Sequence, residues 1–126
     1  MHVFAAVVIV NDQDAARDFY VHTLGWELRF NNQMSDDYWF VMVAPAGHST
    51  GIVLGPSHIH GREAPTNEHP VDTNIYLTTD DVRADYERLS ALGVHFDQVP
   101  EPMPWGGYGA RFSDLDGNVF FVSDGA

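Results

Sequence analysis

Apolar residues along this chain come in short, sharply bounded runs. Val3 to Val10 is continuous and rich in β-branched residues, the pattern of a strand buried on both faces. Asp12 and Asp14 follow, placing acids where a helix N-terminus favours negative charge. Ala15, Ala16, Phe19, Tyr20 and Leu24 then recur at helical spacing, and Gly25 stands where a helix-ending glycine belongs. Trp26–Phe30 reads as a strand, 31–37 as polar turn material, and Tyr38–Val43 as a strongly apolar strand. A turn at Pro45-Ala46-Gly47 leads to a short strand, Ser49–Leu54.

The second half repeats this order. Asp72–Thr79 alternates, with Ile75 and Leu77 on one face and Asn74, Tyr76 and Thr78 on the other. Asp80 and Asp81 open a helix carrying Val82, Tyr86, Leu89 and Leu92, and Gly93 ends it. Val94–Gln98 and Tyr108–Ser113 read as strands, Asp114–Gly117 as a turn and Asn118–Ser123 as a last strand. The two Leu-Gly helix ends, at Gly25 and Gly93, are offset by 68 positions. A period that long in 126 residues means two copies of one strand–helix–strand–strand–strand module, not a solenoid. The pattern predicts one α+β domain over 1–126: a first module at 1–55, a linker at 56–71 and a second module at 72–126. The linker is rich in Pro, Gly, His and charge and reads as a loop.

The run Val8-Ile9-Val10-Asn11-Asp12, then Phe19-Tyr20, then Leu24-Gly25-Trp26-Glu27, resembles the first module of the vicinal oxygen chelate superfamily. That superfamily includes glyoxalase I, bleomycin-resistance proteins and extradiol dioxygenases. Thr79-Asp80-Asp81-Val82, Tyr86 and Leu92-Gly93-Val94 are similar to its second module, and Asp114-Leu115-Asp116-Gly117-Asn118 to its terminal hairpin. The resemblance implies two βαβββ modules whose cupped mixed sheets surround a cleft, with a helix behind each sheet. Ile75, Leu77, Phe120 and Val122 then suit the helix-covered face, and Ala5, Val7, Asn74, Tyr76, Val119 and Phe121 the cleft.

Enzymes of the superfamily hold a divalent metal with His, Glu or Gln on the first and last strands of each module. Those slots fall here at Ala5, Val53, Asn74 and Phe121. Alanine, valine and phenylalanine have no donor atom, and a catalytic site needs about three protein ligands and an open position. The expectation is no metal at these slots and no cofactor. His58-Ile59-His60 with Glu63, Glu68 and His69, in the linker, offers a non-standard site, since His-x-His on an extended segment puts both rings on one side and a nearby carboxylate completes it. The other reading of these residues is a solvated loop. His2, His22, His48 and His95 are scattered and read as surface or satisfied side chains.

Composition narrows the chemistry. There is no cysteine, which excludes disulfides, thiolate nucleophiles and thiolate metal sites. All six basic residues are Arg, so lysine Schiff bases and a P-loop are excluded as well. Eighteen acids against six bases give a formal net charge of −12, which repels nucleic acid and anionic membranes and attracts cations. The same charge also serves solubility alone. The apolar run at Met1–Val10 has no basic region before it and is too short to span a bilayer, so the expectation is a cytoplasmic protein.

Metal-free members of the superfamily bind and sequester antibiotics and are typically dimeric, acidic and aromatic-lined. The resemblance therefore implies a binding protein, a homodimer, whose partner is a small cationic or aromatic molecule, rather than an enzyme. The candidate contacts are Trp39, Asn74, Tyr76, Trp105, Tyr108 and Phe121. Rings give stacking or cation–π contacts, and Asn74 a hydrogen bond. Against this stands the plainer reading that alternate aromatics on a strand are core. The rival function is a lyase, isomerase or dioxygenase using an unusual metal site or metal-free acid–base chemistry at His60 or Glu63. A third reading is a regulatory member with a plugged cleft.

Overall fold

The computed structural model describes residues 1–125, in two compact units, Met1–Thr66 and 67–125. In the first, β1 (Ala5–Val10) leads into α1 (Gln13–Asp18) and a wider π-helical turn, Phe19–Thr23. Asp12 caps α1, its carboxylate accepting from the Asp14 and Ala15 N–H groups. Gly25 ends the helical run at φ 79°, which L side chains rarely adopt. Then come β2 (Glu27–Ser35), β3 (Tyr38–Ala44), β4 (Gly51–Pro56) and a short α2 (Ser57–His60).

The sheet order is β1-β4-β3-β2, with β1 parallel to β4 and the other pairs antiparallel. Val8, Val10, Val41, Val43, Ile52 and Leu54 form one buried face of this sheet. α1 lies against β3 and β4. Ala16, Phe19, Tyr20 and Leu24 are buried on the helical run, Tyr20 completely. Burying Phe19 or Leu24 contributes roughly 1.5–3 kcal/mol each.

The second unit has the same order: β5 (Val71–Thr78), α3 (Val82–Ala91), β6 (Phe96–Pro102), β7 (Tyr108–Ser113) and β8 (Asn118–Ser123). Its sheet runs β5-β8-β7-β6. On the α3 side, rings step across the sheet from Tyr86 to Phe96 (4.9 Å), Phe112 (5.8 Å) and Phe120 (5.6 Å). Two aspartates tie the backbone. Asp114 accepts from the N–H groups of Asp116, Gly117 and Asn118 and from the Asn118 amide, closing the β7–β8 turn. Asp124 accepts from Tyr108 N (2.7 Å) and Val82 N (2.9 Å), joining β7 to the first turn of α3. These two N–H groups, Tyr108 first, hold its carboxyl below the ordinary value.

Three sequence expectations need correction. The polar stretch 31–35 is not turn but the second half of β2, an edge strand whose Asn31, Asn32 and Gln33 pair with Val41, Phe40 and Trp39 while facing water. β6 likewise runs on to Pro102 at the edge of the second unit's sheet, where Pro100 and Pro102 need donate no ladder hydrogen bond. The linker is not all loop: Ser57–His60 makes one helical turn, stopped by Gly61 at φ 66°.

Candidate functional site

In the second unit the register puts three side chains in a row on the face away from α3. Tyr76 of β5 pairs with Phe121 of β8, which pairs with Arg111 of β7. The Tyr76 and Phe121 rings are 5.1 Å apart, and Trp105, from the β6–β7 loop, stands edge-on to Phe121 at 6.3 Å. Tyr76 is 75% exposed and Trp105 54%. Gly109 makes room for them: a Cβ there would fall 2.8 Å from the Phe121 ring and 2.9 Å from Met103.

This row depends on a bulge. β5 advances from Asp72 to Tyr76 while β8 advances only from Val119 to Phe121. Within it Asn74 sits at φ 58°, a conformation asparagine tolerates better than most residues, with its N–H on Asp72. Thr73 accepts from Ile75 N and donates to Val119 O. The bulge re-aims the strand and sets Tyr76 against Phe121.

Beside the rings, Arg111 forks onto both oxygens of Asp97 (3.2 and 3.3 Å) and reaches Asp72 at 3.1 Å. The Asp97 hydrogen bond, with the charges of both carboxylates, raises the Arg111 pKa further. One cation among two carboxylates leaves this patch a single net negative charge.

Tyr108 and Trp39 stand elsewhere. Tyr108 shares the α3 face with Ala110 and Phe112, and the Arg83 guanidinium lies 4.2 Å from its ring centre. Trp39 shares the α1 face with Val41 and Val43 but lies beyond the helix's cover, 41% exposed. It walls an open hollow of about 600 Å³, with Asn31 of β2 and Asn11, Asp12, Asp14 and Arg17 around the start of α1. Gln13 also lines it and holds its wall, the side-chain amide donating to Trp39 O and Leu54 O at 2.8 Å each.

On its other face the first unit carries a second aromatic group, which the sequence pattern did not single out: Phe4–Phe30 at 6.2 Å and Phe30–Phe40 at 5.7 Å. Ala5 and Val53, two of the metal slots, share that face and offer no donor. The His58/His60 pair diverges, because two residues along a helical turn do not face one way. The His58 ring lies 3.0 Å from Asp37 O, while His60 packs on Gly55, its Nε2 buried without a hydrogen-bond partner. Among the described residues no three His, Asp or Glu side chains gather as a metal would require.

A family model described as the glyoxalase/bleomycin resistance protein/dioxygenase superfamily matches residues 2–122. The chain belongs to this superfamily. A superfamily member from Sphaerobacter thermophilus is similar in structure, with TM-score 0.89 and 41% identity, covering 98% of this chain and 97% of that one. TnmS3, described as an antibiotic binding protein from Streptomyces sp. CB03234, is 36% identical at TM-score 0.83, covering 100% and 97%. An uncharacterized protein of Bacillus subtilis, YetH, is 30% identical over 118 residues, 93% of this chain and 92% of its own length. The superfamily fold is thus the glyoxalase/bleomycin resistance fold read from the repeated βαβββ pattern. No helix among the described residues is long and apolar enough to cross a membrane.

Proposed function

We propose that this superfamily member binds a small aromatic, cationic molecule without a catalytic metal, using Tyr76, Phe121 and Trp105 as its platform. The observation that carries the reading is this row of neighbouring rings, with Tyr76 and Trp105 largely exposed on either side of a half-buried Phe121. A stacked ring gains about 0.5–1.5 kcal/mol beyond its buried area. A cation over a ring gains about 0.5–2 kcal/mol, and the net negative Arg111 patch favours that charge. The likeness to TnmS3 supports an antibiotic as the ligand class. Side-chain chemistry supports the metal-free part, since Ala5, Val53 and Phe121 cannot ligate. A homodimer and a cytoplasmic location complete the proposal, on the resemblance to metal-free members and on the lack of cysteine.

The test is a screen of cationic aromatic compounds by tryptophan fluorescence. A hit should quench the wild type, and the quench should vanish in Trp105→Ala and weaken about tenfold in Tyr76→Ala. Quenching unchanged in both variants would remove this row from the site. Elemental analysis of untagged protein purified without nickel resin checks the metal: near-stoichiometric Zn, Ni, Mn or Fe would overturn the metal-free reading. Sedimentation showing only monomer at micromolar concentration would overturn the dimer.

A further inference from the structure

The hollow beside Trp39 is on the α1 face, the opposite side of its sheet from Phe30, Phe40 and the Ala5 and Val53 positions. Its volume, about 600 Å³, is within the range of small-molecule sites. Trp39 ends the row Trp39–Val41–Val43. The other two are sealed under the helix, at 2% and 0% exposure, while the indole is left open to the hollow. The other six side chains of the wall have polar ends, and their stems with the indole give the hollow about as much carbon surface as polar surface.

Part of the wall is tethered. Gln13 clamps the β3 and β4 backbones together at the helix start. The Asp12 side chain is committed to capping, and Arg17 pairs with Asp14 and Asp18. The tethered Gln13 and Asp12 side chains lose little conformational entropy when a ligand is taken up.

Its chemistry selects the occupant. A wholly apolar molecule would cover the polar ends of the wall and return no hydrogen bonds. An anion meets Asp12 and Asp14, and a cation, though drawn by their net charge, accepts no hydrogen bond from the Asn11, Asn31 or Arg17 side chains. A neutral polyhydroxylated ring suits all of them. Its C–H face covers the indole, and its hydroxyls, each both donor and acceptor, match amides, carboxylates and guanidinium alike. We infer that the Trp39 hollow is a second binding site, for a sugar or cyclic polyol, separate from the aromatic platform of the other unit.

The experiment follows the indole N–H resonances of Trp26, Trp39 and Trp105 in ¹⁵N-labelled protein, assigned with Trp39→Phe and Trp105→Phe. The probes are glucose, galactose, mannose, ribose and myo-inositol, each titrated separately, with tetramethylammonium as the cationic control. The expected result is a saturable shift of the Trp39 signal by at least one polyol, with Trp105 unmoved. Asn31→Ala, a change on an exposed edge strand, should weaken that binding about tenfold while the spectrum stays folded. No shift from any polyol would overturn the inference. So would a shift that survives Asn31→Ala undiminished, or one that tetramethylammonium produces and the polyols do not. None of these outcomes bears on the platform, whose reporter is Trp105.

Discussion

Removing the Asp114 side chain should cost this protein a large part of its stability. Asp114 is 4% exposed. One oxygen gathers the N–H groups of Asp116, Gly117 and Asn118 at 2.9, 3.1 and 2.9 Å, and the other takes the Asn118 amide at 2.9 Å. The Asp116 N–H is partly buried and water can replace its partner, whereas the other three bonds are buried. At roughly 1 kcal/mol or more for each buried donor left unpaired, Asp114→Ala should lose about 3–5 kcal/mol. Asp114→Asn keeps an acceptor for the three N–H groups. The Asn118 amide can turn its oxygen toward the new amide, so this variant should lose about 1–2 kcal/mol. Against a typical total of about 5–15 kcal/mol the alanine variant is severe and the asparagine variant is not. Urea unfolding followed by circular dichroism measures both. With a slope of about 2 kcal/mol/M, the alanine midpoint should fall by about 1.5–2.5 M. A midpoint within about 0.5 M of wild type would show that the turn stands without this carboxylate, and would refute the count of buried donors.

The Asp124 carboxyl titrates below its ordinary 3.8, so its contribution is present above that value and fades as pH falls through the lower, folded one. Asp124→Asn should therefore melt below wild type at neutral pH, with the gap closing under acid; a gap that does not change with pH would contradict this. Gly55→Ala should destabilise the protein by about 1–3 kcal/mol, because a Cβ there meets the His60 ring, and adding His60→Ala should recover most of the loss. Absence of recovery in the double variant would place the strain elsewhere. Gly109→Val should lower affinity for any platform ligand more than it lowers stability, by driving Phe121 and Met103 off the strand; calorimetric titration beside a melt separates the two effects.

The repeated module was legible because its signals are local. Asp12 and Asp81 cap helices three residues or fewer ahead of their partners, and Gly25 and Gly93 stop them with positive φ. What escaped depends on contacts distant in the chain. Asn31-Asn32-Gln33 is strand only because the apolar β3 lies beside it. Tyr76, Trp105 and Phe121 were named as candidates and do come together, but the bulge that aligns the first with the last leaves no period in the sequence. Trp39 and Tyr108 carry no mark of side either. Strand parity says which residues share a face, and only the packing of α1 and α3 says which face that is. The His58/His60 pair looked like a chelating edge under an extended backbone and became two unrelated contacts once the segment turned helical.

The parallel pairing of first strand with last governs how each unit is made. β1 meets β4 through Ala5–Gly51, and β5 meets β8 through Val71–Asn118. As the ribosome releases the chain, Ala-Ala-Val-Val-Ile-Val emerges before β4 and has no strand partner until residue 51 is out. The β2–β3 hairpin can form first, and the closing step is a slow, non-local one. Throughout that interval the most apolar segment of the protein waits with bare edges, a template for pairing with its counterpart on a neighbouring chain. Crowded synthesis at high temperature should therefore tax the yield of this protein more than its finished stability would suggest, and a chaperone that shields the first ten residues should restore it.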